Sequence, residues 1–226
     1  MENKTQLASS DFIFIQKKDG SLVFKGNFEG LYQNDDMPWG QSGNDERLNM
    51  YYKVSRETIV EVVSKRYVKG TLLEVGCGLG FVCNMLHESL PGIRISGMDI
   101  SKTAISKAKK LFPDIKFYEG DICDKNINII NSYDIVLMNE VLWYILKKID
   151  CAFENLKSFV SNKGILIISN GYLPEQRYGK NIINGFNGLI NYLANNHFND
   201  MQFLEAFYND NENLTFFNGV AVMRKV

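Results

Sequence analysis

With 226 residues, 45% of them hydrophobic, the chain can bury the core of one α/β domain. Its 25 Lys and Arg balance 26 Asp and Glu to a formal net charge of -1, spread along the sequence, so the basic footprint that a nucleic-acid partner demands is missing. No stretch approaches the roughly 18 apolar residues of a bilayer span, and MENKTQLASS lacks a basic start followed by an apolar run, so a cytoplasmic protein with no membrane partner is expected.

In chain order, DFIFIQ and SLVFKG flank Lys17-Lys18-Asp19-Gly20, the signature of a hairpin. LYQNDDMPWGQSGNDER follows, rich in turn formers and aromatic residues, and reads as a loop. An amphipathic helix then runs from about Glu46 to Tyr67, with Leu48, Tyr51, Val54, Ile59 and Val63 available for burial. Residues 1–44 are accordingly an N-terminal hairpin and cap segment, and 45–226 the main α/β unit, in one globular body.

LLEVGCGLG, Leu72 to Gly80, is an apolar run that ends in a carboxylate and three alternate glycines. Gly76, Gly78 and Gly80 have no Cβ, so the turn can take positive φ and bring its backbone against a ligand. The dinucleotide fingerprint G-x-G-x-x-G places its last glycine where this chain has Phe81, and Glu74 beside the turn disfavours a diphosphate and suits a cation. An NAD-dependent oxidoreductase is therefore the weaker alternative. At this turn the chain resembles the class I methyltransferases that use S-adenosylmethionine (SAM), a cationic ligand without phosphate. Glu74, Gly76, Cys77 and Gly78 are its cofactor-binding candidates by that resemblance.

GIRISGMDIS alternates apolar residues as a strand does and ends in Asp99, at the spacing where doubly wound nucleotide folds place a ribose-binding acid. A carboxylate there accepts both ribose hydroxyls, each charge-assisted bond contributing about 1.5–3 kcal/mol. Ile100 follows it in the same loop. Ser101 caps a helix with Ala104, Ile105, Ala108 and Leu111 on one face, and Pro113 blocks its continuation. IKFYEGD is a third strand. YDIVLMNEVLWYI is a fourth, with Asn139 and Glu140 at its carboxyl end. A helix after Tyr144 carries Ile145, Leu146, Ile149, Phe153, Leu156 and Val160 and ends over Ser161-Asn162-Lys163-Gly164. Then come strand ILIISN, the loop GYLPEQRYGKN, a helix within 182–195, and strands MQFLEAFYN and LTFFNGVAVMRKV.

The third and fourth strands extend the resemblance. Gly120, Asp121 and Ile122 match the methyltransferase segment that flanks adenine with an acid and an aliphatic side chain, and Asn139 matches a cofactor-side residue. The implied fold class is α/β: a seven-stranded, mostly parallel, Rossmann-like methyltransferase sheet in the order 3-2-1-4-5-7-6, with helices on both faces. Met37-Pro-Trp-Gly, Asp45-Glu46-Arg47 and Glu140-Val-Leu-Trp-Tyr-Ile are similar to a narrower group, the nodulation N-methyltransferase-like enzymes. That likeness implies that Trp39 covers the SAM cleft and Arg47 pairs with the methionine carboxylate; otherwise Trp39 is a turn residue packed on the core and Arg47 a solvated cation. It also favours an amino sugar or glycan precursor among small-molecule acceptors, with S-adenosylhomocysteine as the spent cofactor.

Methyl transfer depends mainly on positioning, and a hydroxyl acceptor must also lose a proton. Glu140, Tyr144 and Tyr172 are the nearby catalytic candidates, each of which can equally be a packing residue. His197 falls before a parallel strand, at the edge away from the site, and His87 late in a helix. Cys77, Cys83, Cys123 and Cys151 show no C-x-x-C spacing, so reduced thiols and no metal are expected, with Cys83 and His87 an incidental pair. A non-catalytic SAM-binding protein is the remaining alternative. It conflicts with intact Glu74, glycines, Asp99 and Asp121.

Overall fold

A computed structural model describes residues 11–40, 42, 46–127, 132–173, 175–195, 198–209 and 217–226, with the backbone alone at 46–50 and 209. The expected N-terminal hairpin is present: β1 (Phe14–Gln16) pairs antiparallel with β2 (Leu22–Phe24). Its turn closes where Gly20, at φ 82°, donates its N–H to the Lys17 carbonyl at 2.9 Å.

The following segment is not the loop that its composition suggests. Helix α1 (Phe28–Asn34) forms there, capped by the Asn27 side chain, which accepts from the Gly30 N–H at 2.9 Å, and a 3-10 turn spans Pro38–Gly40. Leu31 and Tyr32 supply its buried face. With so few turns its stability comes from docking rather than propensity.

Helix α2 (Glu46–Ser64) leads into β3 (Gly70–Val75), α3 (Phe81–Ser89), β4 (Ile93–Asp99), α4 (Lys102–Leu111), β5 (Lys116–Glu119) and β6 (Tyr133–Asn139). Then follow α5 (Leu142–Ile145), a 3-10 turn at Leu146–Lys148, α6 (Ile149–Phe159), β7 (Val160–Tyr172), α7 (Gly185–Asn195), β8 (Met201–Asn209) and β9 (Phe217–Lys225). The strands from β3 onward form one 7-stranded sheet in the order β5-β4-β3-β6-β7-β9-β8, with β9 antiparallel to both neighbours. This is the expected 3-2-1-4-5-7-6 order.

Both faces of the sheet are covered, which is why β6 reads as a continuous apolar run. Its alternate residues divide between two cores. Val136 and Met138 join Phe153, Leu156 and Leu189 on one face, while Ile135 and Leu137 join Ile59, Leu86 and Ile105 on the other.

Three expectations require correction. Leu111 is exposed, and the buried stripe of α4 consists of Ala104, Ile105 and Ala108. The helix after β6 is broken by the 3-10 turn, and Tyr144 lies inside its first short piece. That helix also ends earlier, at Phe159, because Val160 is already extended and pairs with Tyr133. The side chains of Arg47 and Leu48, and all of His197, lie outside the described residues. No helix among the described residues is long and apolar enough to cross a membrane.

Candidate functional site

The glycine turn is held from below by β4. Gly76 and Cys77 donate their N–H groups to the Met98 carbonyl at 2.7 and 3.0 Å. Gly76 has φ 77°, and a Cβ there would stand 2.2 Å from Val141 Cγ2, so the turn and the start of α5 meet only because this residue lacks one. Gly80, at φ 82°, precedes α3, which begins at the Phe81 that departs from the dinucleotide fingerprint.

Asp99 ties this turn to the next. Its Oδ2 accepts from the Gly78 N–H and its Oδ1 from the Ser101 N–H, both at 2.9 Å. Burial pushes its carboxyl up to about 6, against the pull of those two bonds. Ser101 continues the connection: its Oγ accepts from the Ala104 N–H, capping α4, and donates to Glu29 Oε2 at 2.7 Å. Glu29 also accepts from both the hydroxyl and the N–H of Thr103, so it caps a neighbouring helix from α1. The bonds from Thr103 and Ser101 hold its carboxyl down at about 2. Lys107 completes the docking of this segment, donating to the Tyr32 carbonyl at 2.7 Å and reaching Asp36 at 2.8 Å.

Glu74, at the carboxyl end of β3, is only 2% exposed. Burial raises its carboxyl to about 7, opposed by the Cys83 thiol that donates to it at 2.9 Å and by the charge of Arg56. Arg56 sits on α2 with its guanidinium 4.9 Å from the centre of the Tyr52 ring. The Tyr52 hydroxyl donates to the Trp39 carbonyl at 2.8 Å, fixing the 3-10 turn over the same region. Trp39 itself has φ 61°, and its ring meets Tyr32 edge-on at 6.0 Å.

A second carboxylate group forms around β6. Glu140 has φ 58°, an uncommon conformation for a residue with a Cβ, which turns its side chain off the strand end. The Tyr51 hydroxyl donates to Oε1 and the Gly171 N–H donates to Oε2 at 3.1 Å. Burial raises the Glu140 carboxyl to about 7 and, with the Glu140 charge, lifts the Tyr144 phenol well above its ordinary range. Tyr144 packs on the hairpin and on α1: its ring lies 6.3 Å from Phe24 and 5.1 Å from Phe28.

These groups surround one cavity of about 510 Å³ at the carboxyl ends of β3, β4 and β6. Of the residues singled out from the sequence, Trp39, Glu74, Gly76, Cys77, Asp99 and Ile100 line it, as do Asp121, Ile122, Asn139, Glu140 and Tyr144. Burial raises the Cys77 thiol to about 11, which keeps it protonated and inert. Asp121 Oδ1 accepts from the Cys123 N–H at 2.8 Å, holding its loop, and Ile100 is half-exposed at the rim. Gly78 contributes through its bond to Asp99 rather than as a lining residue.

Tyr172 does not reach the cavity. It is 2% exposed and packs edge-on against Trp143 at 5.4 Å and Phe186 at 5.6 Å, on the other side of β7. Its neighbour Gly171 faces the cavity instead, as strand alternation requires.

Sequence reasoning passed over Tyr51 and Arg56 as site residues. The signal was available: Tyr51, Tyr52, Ser55 and Arg56 stand at i, i+1, i+4 and i+5 on α2, a polar stretch of the same face that Ile59, Val62 and Val63 continue as an apolar one. His87 is exposed, and no group of three or more metal-ligating residues occurs among the described residues.

The family described as "Methyltransferase domain" matches residues 68–221, from two residues before β3 into β9. The chain belongs to this methyltransferase family. Within curated proteins, trans-aconitate 2-methyltransferase of Escherichia fergusonii is 32% identical over 95 residues, covering 42% of this chain and 36% of the relative, so the match spans about a third of that protein's length. Among solved structures the methyltransferase is similar to the N-methyltransferase NodS from Bradyrhizobium japonicum WM9 in complex with S-adenosylhomocysteine. The TM-score is 0.65 at 16% identity, covering 84% of this chain and 93% of that one. Magnesium protoporphyrin IX methyltransferase from Synechocystis PCC 6803 with bound SAM gives 0.63 at 14% identity, covering 88% and 97%. At these identities the likeness is one of fold.

Proposed function

We propose that this chain moves a methyl group from SAM to an oxygen or nitrogen of a small molecule. The observation that carries the reading is Asp99, a buried carboxylate that joins two turns at the mouth of the crevice and still presents itself to the cavity. In doubly wound folds ligands collect at this carboxyl edge, and an acid there suits ribose hydroxyls.

The other residues fit the same ligand. Asn139 is 9% exposed and its Oδ1 has no protein partner, an acceptor waiting for a donor from within the cavity. Glu74 and Arg56 place one negative and one positive group at the end nearest β3, which suits the ammonium and carboxylate of an amino-acid moiety. Arg56 is thus a second candidate for the part that resemblance assigns to Arg47, whose side chain lies outside the described residues. Asp121 and Ile122 offer an acceptor and an apolar face for adenine. Bound SAM supplies an electrophilic methyl carbon whose leaving group is a neutral thioether. The chain's share is orientation: effective molarities of 10⁵–10⁸ M correspond to about 7–11 kcal/mol.

Isothermal calorimetry with SAM, S-adenosylhomocysteine and NAD tests the assignment. Binding of the first two and not the third is expected; binding of NAD alone would end it. Incubation with methyl-labelled SAM and fractionated metabolites then shows whether label moves and to what.

A further inference from the structure

When the groups suited to SAM are set aside, one carboxylate in the cavity is left without a role. Glu140 is directed inward by its positive φ and clamped by two donors, the Tyr51 hydroxyl and the Gly171 N–H, so the remaining lone pairs of its carboxylate face the cavity. The walls beside it are apolar rings. Phe24 and Phe28 from the hairpin segment close on Tyr144, and Trp39 lies 6.2 Å from the same ring.

Resting on the methyl-transfer reading above, we propose that this part of the cavity takes a small amine with an apolar body, an arylalkylamine by class, and that Glu140 removes its proton. An ammonium is attracted both to a carboxylate and to the faces of aromatic rings. A sugar can stack its C–H face on a ring, but the hydroxyls around its edge need polar partners, which Phe24 and Phe28 do not offer. The ring-lined wall therefore selects against the amino sugar that sequence resemblance favours.

The bound ammonium gives one proton to the Glu140 carboxylate and becomes a neutral amine. The amine lone pair forms the N–C bond as the C–S bond breaks, and the electron pair of that bond leaves on sulfur. The products are an N-methyl ammonium and a neutral thioether, and Glu140 returns its proton to solvent. A carboxyl raised to about 7 by burial suits this task near neutral pH. The titratable groups beside it in the cavity are Tyr51 on α2 and Tyr144 on α5, and Tyr172, behind β7, feels its charge; all three are phenols lifted further above their ordinary range. Tyr51 is a positioning residue: its hydrogen bond lowers the Glu140 carboxyl against burial.

The test uses the full chain with phenethylamine and glucosamine as probes. Calorimetry in the presence of S-adenosylhomocysteine reads binding, and mass spectrometry with SAM reads N-methylation. Phenethylamine is expected to bind and be methylated in preference to glucosamine. Glu140→Gln should retain SAM binding and lose on the order of 100-fold in kcat/KM. Tyr51→Phe should move the acid limb of the rate profile to higher pH, which loss of packing alone would not do. Preference for glucosamine, Glu140→Gln at full rate, or no phenethylamine binding in a chain that binds SAM would each overturn the inference and leave the methyl-transfer reading standing. Failure to bind SAM would remove both. If Glu140→Gln does not fold, the wild-type binding comparison and the Tyr51→Phe profile still decide.

Discussion

Replacing Asp99 by alanine separates what this carboxylate does for the ligand from what it does for the fold. Raising its carboxyl from 3.8 to about 6 corresponds to roughly 3 kcal/mol against the ionised form near pH 7, at about 1.36 kcal/mol per pH unit. Asp99→Ala relieves that cost. It also strips the Gly78 and Ser101 N–H groups of their acceptor, at about 1–3 kcal/mol each. The shift to about 6 already sets those two bonds against burial, so the net change in the ligand-free protein is small, about 1 kcal/mol or a melting shift of roughly 2–4 °C. SAM binding loses about 2–3 kcal/mol, the scale of one charge-assisted hydrogen bond, or roughly 30- to 140-fold in Kd. Calorimetry and thermal melting on the same preparation measure both. Unchanged SAM affinity would take Asp99 out of the site, and a collapse in melting temperature would show that its bonds to the two turns outweigh its burial.

Gly76→Ala should destabilise by about 2–4 kcal/mol, because the new Cβ meets Val141 Cγ2 at 2.2 Å and φ 77° is strained for alanine. Adding Val141→Ala should recover part of the melting loss, and no recovery would mean that strain alone is responsible. Glu29 is held at about 2, below its unfolded 4.5, so the stability it contributes is complete above about pH 4.5 and disappears as pH falls toward 2. Glu29→Gln should therefore flatten the acid limb of a melting profile and raise protease cutting in residues 27–40 at neutral pH; an unaltered profile would refute the clamp. Glu140 has the opposite sign, since the folded state keeps a proton that the unfolded chain releases above about pH 4.5. Its contribution declines as pH rises from about 4.5 to about 7. Melting of the ligand-free protein between those limits should fall less steeply in Glu140→Gln, and equal slopes would contradict the shift.

The sheet was legible because its strands are apolar runs bounded by turn residues, and because methyltransferase-like segments recur in the expected order. Chain order also placed the right loops at the right edge. It did not fix which side chain in a loop points inward. Tyr172 illustrates this: the strand end was correctly placed, but a shift of one residue exchanges the two faces, and Gly171 holds the position facing the cavity. Arg56 was missed for the helical version of the same reason, since facing depends on the rotation of α2 about its axis. Helix α1 leaves no local trace because it is only 7 residues long and depends on Glu29 meeting Ser101 and on Lys107 of α4 meeting Tyr32 and Asp36, partners separated by 71–75 residues. No local pattern reports such contacts.

Ser101 has a place in the molecule that its size conceals. Its amide serves Asp99, and its hydroxyl serves both the first turn of α4 and Glu29 on the arriving N-terminal segment. One buried serine is thus a junction between the edge of the cavity and the N-terminal segment beside it. A substitution at this single position would unfasten three elements together: the turn after β4, the first turn of α4 and the segment that carries Glu29.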